Sequence, residues 1–165
     1  MTTDDARNDL VTWLRDAHAL EKELVPILES QANLARGHAE IHNRLRQHAQ
    51  ETRRHQELVE RCLARLGAEA SLVKDTLMTL SGTLAGPLFG LPHDDLVRIA
   101  VLDYASENLE IATYRALVHA SRLLAYDDVA RTCEEILREE ERMAAWLQQQ
   151  IPRIVESHLG AGAAR

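Results

Sequence analysis

The chain has 165 residues, 45% of them hydrophobic and 27% charged, enough for a single domain over 1–165 with a buried core. Its formal net charge of -7, with arginines scattered among glutamates, excludes the single-signed basic surface that a nucleic acid requires. With 7 glycines, 4 prolines and 4% aromatic residues against many Ala, Leu, Glu, Arg and Gln, the composition points to an all-α fold.

The N-terminus, MTTDDARNDL, has neither a basic n-region nor an apolar h-region. No stretch approaches the ~20 apolar residues that span a bilayer, so a cytoplasmic protein with no membrane contact is expected. Helical periodicity then predicts four long helices at about 8–36, 38–67, 93–122 and 127–157.

In the first helix, Leu10, Leu14, Ala17, Glu21, Leu24 and Leu28 step by three or four and share one face, so Glu21 interrupts an apolar seam. Pro26 falls inside this run and should kink it or remove a hydrogen bond. Gly37 is read as a left-handed stop before the second helix. That helix has the seam Ile41, Leu45, His48, Thr52, His55, Val59, Cys62 and Leu66, with Glu51 about 60° to one side of His48. Gly67 is its expected stop.

A segment over 68–92, amphipathic from Leu72 to Leu84, is too long for a tight turn and reads as a crossover, with Pro92 opening the third helix. Short, long and short connections are the pattern of two helical hairpins joined by one long crossover. The third seam runs Ala100, Tyr104, Glu107, Ile111, Tyr114 and Val118, with Glu110 on its flank. Asp127 is the expected N-cap of the fourth helix, whose seam is Cys133, Leu137, Glu140, Ala144, Leu147 and Ile151. Glu139 and Glu141 read as solvated flanks of Glu140, Pro152 as a second kink, and the terminal GAGAAR as a flexible tail. Cys62 and Cys133 belong to no C-x-x-C pair and read as small buried thiols.

Glu21, Glu51, Glu107 and Glu140 stand near the midpoints of their helices, so a bundle of equal-length helices brings them to one level. Glu21 to Glu51 is 30 residues and Glu107 to Glu140 is 33, which suits two related hairpins. Carboxylates gathered in an apolar interior cannot all stay ionised without compensation, because desolvation and mutual repulsion both raise their pKa values. A metal centre held by Glu21, Glu51, His48, His55, Glu107, Glu110 and Glu140 supplies the positive charge. Protonated or Arg-paired glutamates, with neutral core histidines, are the alternative. His18, His38, His42, His93, His119 and His158 are given no role.

The stretches DAHALEKEL around Glu21, HAQET at His48–Thr52, ENLEIATY at Glu107–Tyr114 and LREEE at Leu137–Glu141 resemble the ferritin-like superfamily, within it the YciE/YciF-type stress-associated bacterial proteins. The resemblance covers nearly the whole chain. It implies a ferritin-like four-helix bundle, a dinuclear iron or manganese centre, a homodimer and a link to stress responses. A centre reacting with hydrogen peroxide or dioxygen is the activity expected of it, with Tyr104 and Tyr114 as packing residues or hydrogen-bond donors beside it. The chain departs from the family where Ala144 replaces an Asp, Met143 a His often seen in ferritin-like sites, Asn108 a His and His55 a Gln. Two readings stay open: His55 replaces the lost ligand, or the second metal position is weak or empty. A rival class is a helical structural or interaction module with a vestigial site. An iron-storage cage is disfavoured because no fifth capping helix is expected.

Overall fold

The computed structural model describes residues 2–70 and 96–163. Helix α1 spans Thr3–Leu34, α2 Ala39–Arg65, α3 Leu96–Leu123 and α4 Asp127–Ala163, and no strand occurs among the described residues. Most of the expected crossover, together with Pro92, His93 and the Leu72–Leu84 stretch, lies outside the described residues.

Helix α1 starts earlier than its apolar seam because Thr2 caps it. The Asp5 amide donates to Thr2 Oγ1 at 3.1 Å and the Thr2 amide to the Asp5 carboxylate at 2.8 Å, a reciprocal pair that satisfies two end donors. Pro26 and Pro152 both lie on exposed faces inside continuous helices, so the bonds they cannot donate are lost on the side open to water.

Helix α2 ends as expected at Gly67, whose φ of 65° accompanies Ala68 N–H to Leu63 O at 2.9 Å and Gly67 N–H to Ala64 O at 3.0 Å. Gly37 differs. It is not left-handed; the chain leaves α1 through a 3-10 turn over Ala35–Gly37, closed by His38 N–H to Ala35 O at 2.8 Å. Asp127 is also not a cap but the first residue of α4, where its charge meets the positive helix end. The terminal stretch expected to be a tail continues α4 to Ala163.

Helix α1 packs chiefly on α2, and α3 on α4, giving two hairpins that meet along the α1–α3 and α2–α4 seams. The side-chain pairs Gln31–Asp103 and Glu21–Tyr114 show that α1 and α3 are antiparallel, as Arg54–Glu139 and Arg65–Asp128 show for α2 and α4. Helices α2 and α3 therefore point the same way. The last residue of α2 and the first of α3 therefore lie at opposite ends of the bundle, about 40 Å apart for helices of 27 and 28 residues.

The core divides into two apolar clusters. One holds Leu10, Leu14, Val59, Leu63, Leu117 and Ile136; the other holds Leu28, Leu45, Met143 and Leu147. Burying each such leucine or isoleucine contributes about 1.5–3 kcal/mol. Between the clusters lies a belt of buried polar side chains, which the apolar plugs seal from water at both ends.

Candidate metal centre

Glu21, His48, His55, Glu107, Glu110 and Glu140 are each no more than 2% exposed and come together in this belt. Two groups form. Glu21, His55 and Glu140 make one, His48, Glu107 and Glu140 the other, and within each the ligand atoms lie within 4.8 Å of one another. Ligand atoms about 2.1 Å from a common ion lie at most about 4.2 Å apart, so each group needs only a small contraction to hold one. Glu140 belongs to both, one oxygen toward each histidine: Oε1 is 2.8 Å from His55 Nδ1 and Oε2 is 3.7 Å from His48 Nε2.

Each histidine is held from behind. His48 Nε2 faces Glu107 at 3.0 Å while its Nδ1 donates to Glu51 at 3.1 Å, and Glu51 is gripped in turn by Arg44 at 3.0 Å and Gln47 at 2.8 Å. His55 Nδ1 faces Glu140 and Glu21, while its Nε2 donates to Glu139 at 2.9 Å; Arg54 holds Glu139 at 2.5 Å. This is the arrangement by which a carboxylate behind an imidazole fixes its orientation and raises its basicity.

Glu51 thus stands outside both groups. Its offset of about 60° from His48 on α2 turns it toward Arg44 at the bundle surface. Glu139 corrects the expectation of a solvated flank, because its side chain is only 15% exposed and bridges His55 to Arg54. Glu110 lies outside both groups yet is buried beside them. Asp103, not Tyr104, takes the inward position on α3 one turn before Glu107; it accepts from Gln31 at 2.8 Å. Tyr114 is fully buried and donates to Glu21 Oε1 at 2.5 Å.

The electrostatics follow from burial and charge together. Burial pulls His48 and His55 down, but their carboxylates outweigh it, raising His48 to about 10 and His55 to about 11. Burial pushes Glu107 up to about 8 against the pull of His48. Glu110 rises well above the carboxylate range through burial and then through Glu140, Glu21 and Glu107. Glu140 resists burial because both imidazoles face it, and it falls below its ordinary value. Glu51, half in solvent, drops to about 2 because His48 and Arg44 outweigh its burial. Burial and repulsion thus favour the neutral form of Glu107 and Glu110, while the surrounding carboxylates favour the charged form of both imidazoles.

The donor set fits a cation. Glu21 Oε2, His55 Nδ1, Glu107 Oε2, Glu110 Oε2 and both oxygens of Glu140 are buried without a well-aligned hydrogen bond, the imidazoles meeting these oxygens only as ion pairs such as His55 Nδ1 to Glu140 Oε1 at 2.8 Å. Four carboxylates and two imidazoles suit iron, manganese or another borderline divalent ion.

The family described as "Domain of unknown function (DUF892)" matches residues 5–160. A solved structure from Xanthomonas campestris pv. campestris is 34% identical, covers 96% of this chain and 99% of its own, and superposes with a TM-score of 0.80. The E. coli stress protein YciF is 19% identical over 94% of this chain and 98% of its own, at a TM-score of 0.76. The bacterioferritin of Desulfovibrio desulfuricans, described with a diiron site in different catalytic states, is 18% identical over 94% and 85%, at a TM-score of 0.75. The helical bundle is ferritin-like, and among the described residues no helix is long and apolar enough to cross a membrane.

Proposed function

The chain belongs to the DUF892 family, and on that premise we propose that it holds a dinuclear iron or manganese centre reacting with hydrogen peroxide or dioxygen in stress defence. Glu21, His55 and Glu140 would hold one ion and His48, Glu107 and Glu140 the other, Glu140 being common to both groups. The observation that carries this reading is the set of six buried ligand atoms on Glu21, His55, Glu107, Glu110 and Glu140 that no well-aligned hydrogen bond satisfies. When bound, such a pair of ions supplies the electrons that reduce the oxidant.

The chain's own residues prepare the pocket. Tyr114 occupies Glu21 Oε1 and leaves Oε2 for a cation. Glu51 and Glu139 keep one nitrogen of each imidazole turned inward. Glu110, whose hold on a proton burial strengthens, is the group placed to release one as positive charge enters. The position of His55 Nδ1, 2.8 Å from Glu140 Oε1, supports the reading in which His55 replaces the ligand missing at Met143 and Ala144. A homodimer in the cytoplasm completes the reading.

Anaerobic titration of chelator-stripped protein with Fe(II) or Mn(II), followed by desalting and metal analysis, is the test. Two ions per chain are expected in the wild type, one in Glu21→Ala and none held tightly in Glu140→Ala, with peroxide decay following the same order. Wild type that takes up neither metal ends the proposal and leaves the rival class, a helical interaction module whose belt holds protons.

A further inference from the structure

Beyond the polar belt, α2 and α4 meet at two sulfurs. The His55–Glu140 contact fixes the antiparallel register of the two helices. Two turns further on, about 10 Å along the axis, seven residues after His55 and seven before Glu140, stand Cys62 and Cys133. Both are free, 1% and 0% exposed, and packed in the cluster of Leu14, Val59, Leu63 and Ile136. Seven residues are close to two full turns, so each cysteine takes the same angular place on its helix as His55 or Glu140, and the two side chains face each other at one level of this cluster. Two thiols facing each other across adjacent helices make a dithiol, and the plug around them leaves the disulfide as the compact product of its oxidation.

We infer that Cys62 and Cys133 are a two-electron redox pair, which hydrogen peroxide converts to a reversible disulfide tying α2 to α4 beside the carboxylate–histidine belt. The first step joins one peroxide oxygen to the Cys62 sulfur as the O–O bond breaks, giving a sulfenic acid and one water. Cys133 sulfur then attacks that sulfur, and the S–O bond breaks to release a second water. Two thiols and one peroxide thus become one disulfide and two waters. The neighbouring thiol holds Cys62 below its ordinary value, while that neighbour and then burial push Cys133 up, so Cys62 is taken as the attacking sulfur.

Reduced full-length protein, once stripped of metal and once loaded with Mn(II), is treated with stoichiometric peroxide, alkylated under denaturing conditions and weighed intact. Both forms of the wild type are expected to lose two hydrogens and take no alkyl group, and a peptide map links Cys62 to Cys133. Dithiothreitol restores both thiols. Cys133→Ser is expected to stop at a sulfenic acid on Cys62 that a dimedone-type probe traps. Because the wild-type peptide map needs no variant to fold, it decides alone: thiols that stay fully alkylable, sulfinic acid without a crosslink, or a disulfide between chains each overturn the inference. Failure of metal uptake leaves it standing, because the stripped protein carries the same pair.

Discussion

Asp103 shows what the polar belt costs the fold in the absence of a cation. It is 5% exposed, one oxygen accepts from Gln31, and the other has no partner. Burial raises it to about 7, against the lowering effects of Gln31 and His48. A folded pKa above the unfolded one means stability that is complete below about 4 and is lost as pH rises through about 7. A difference of about three units corresponds to about 4 kcal/mol as an upper bound. Asp103→Asn keeps the acceptor for Gln31 and removes the titration. Urea unfolding is therefore expected to show the variant on the order of 2–4 kcal/mol more stable than wild type near pH 8, with little gain near pH 4. An equal gain at both pH values would contradict this. The residue was missed in the sequence because Tyr104, its neighbour, fits the apolar seam better. Helix α3 has apolar or small residues around much of its circumference, so its inward side is weakly marked. Glu139 was missed for a related reason: three successive glutamates give no sign of which one faces His55, since that choice depends on packing against another helix.

At the scale of the helix, the ends were less legible than the seams. Periodicity marks where a helix must bury apolar residues, so the seams around Glu21, His48, His55, Glu107 and Glu140 could be read directly. It says nothing about polar first turns such as Thr2–Asp9, where the cap carries the information. The glycines at 160 and 162 suggested a tail because the intrinsic cost of glycine in a helix is about 1 kcal/mol, yet α4 continues through them. The α3–α4 turn offers a test of the same physics. Its connection copies the α2 ending, with Tyr126 N–H to Ser121 O at 2.8 Å and Ala125 N–H to Arg122 O at 3.1 Å, but the left-handed residue is Ala125 at φ 60°. Alanine pays a Cβ penalty there that glycine escapes. Ala125→Gly is expected to raise stability by about 0.5–1 kcal/mol, read as a higher midpoint in urea, and a drop would mean that the Ala125 methyl is needed for packing.

For the whole molecule, loop lengths foretold two hairpins joined by one long connection; the hairpins are present, and parallel α2 and α3 give the physical reason a short connection would not suffice. The sequence could not tell how the hairpins hold together at their shared seam. Each ligand group draws on both: Glu21 and His55 from the first hairpin meet Glu140 from the second, and His48 from the first meets Glu107 and Glu140 from the second. A cation in either group is thus a crosslink between hairpins. It also offsets the burial, and after it the repulsion, that raise Glu110 and Glu107. An ion that binds only the assembled belt stabilises it by about 2.7 kcal/mol at a hundredfold excess over Kd. For a chain of this size that corresponds to a rise in Tm of roughly 5–10 °C. Stripped wild type is expected to show this rise with Fe(II) under anaerobic conditions or with Mn(II), and to lose it on adding chelator. Glu140→Ala, which empties the one position common to both groups, is expected to show none. If the variant and the wild type rose equally, the ions would be acting elsewhere on the acidic surface, and the hairpins would be held by their apolar plugs and ion pairs alone.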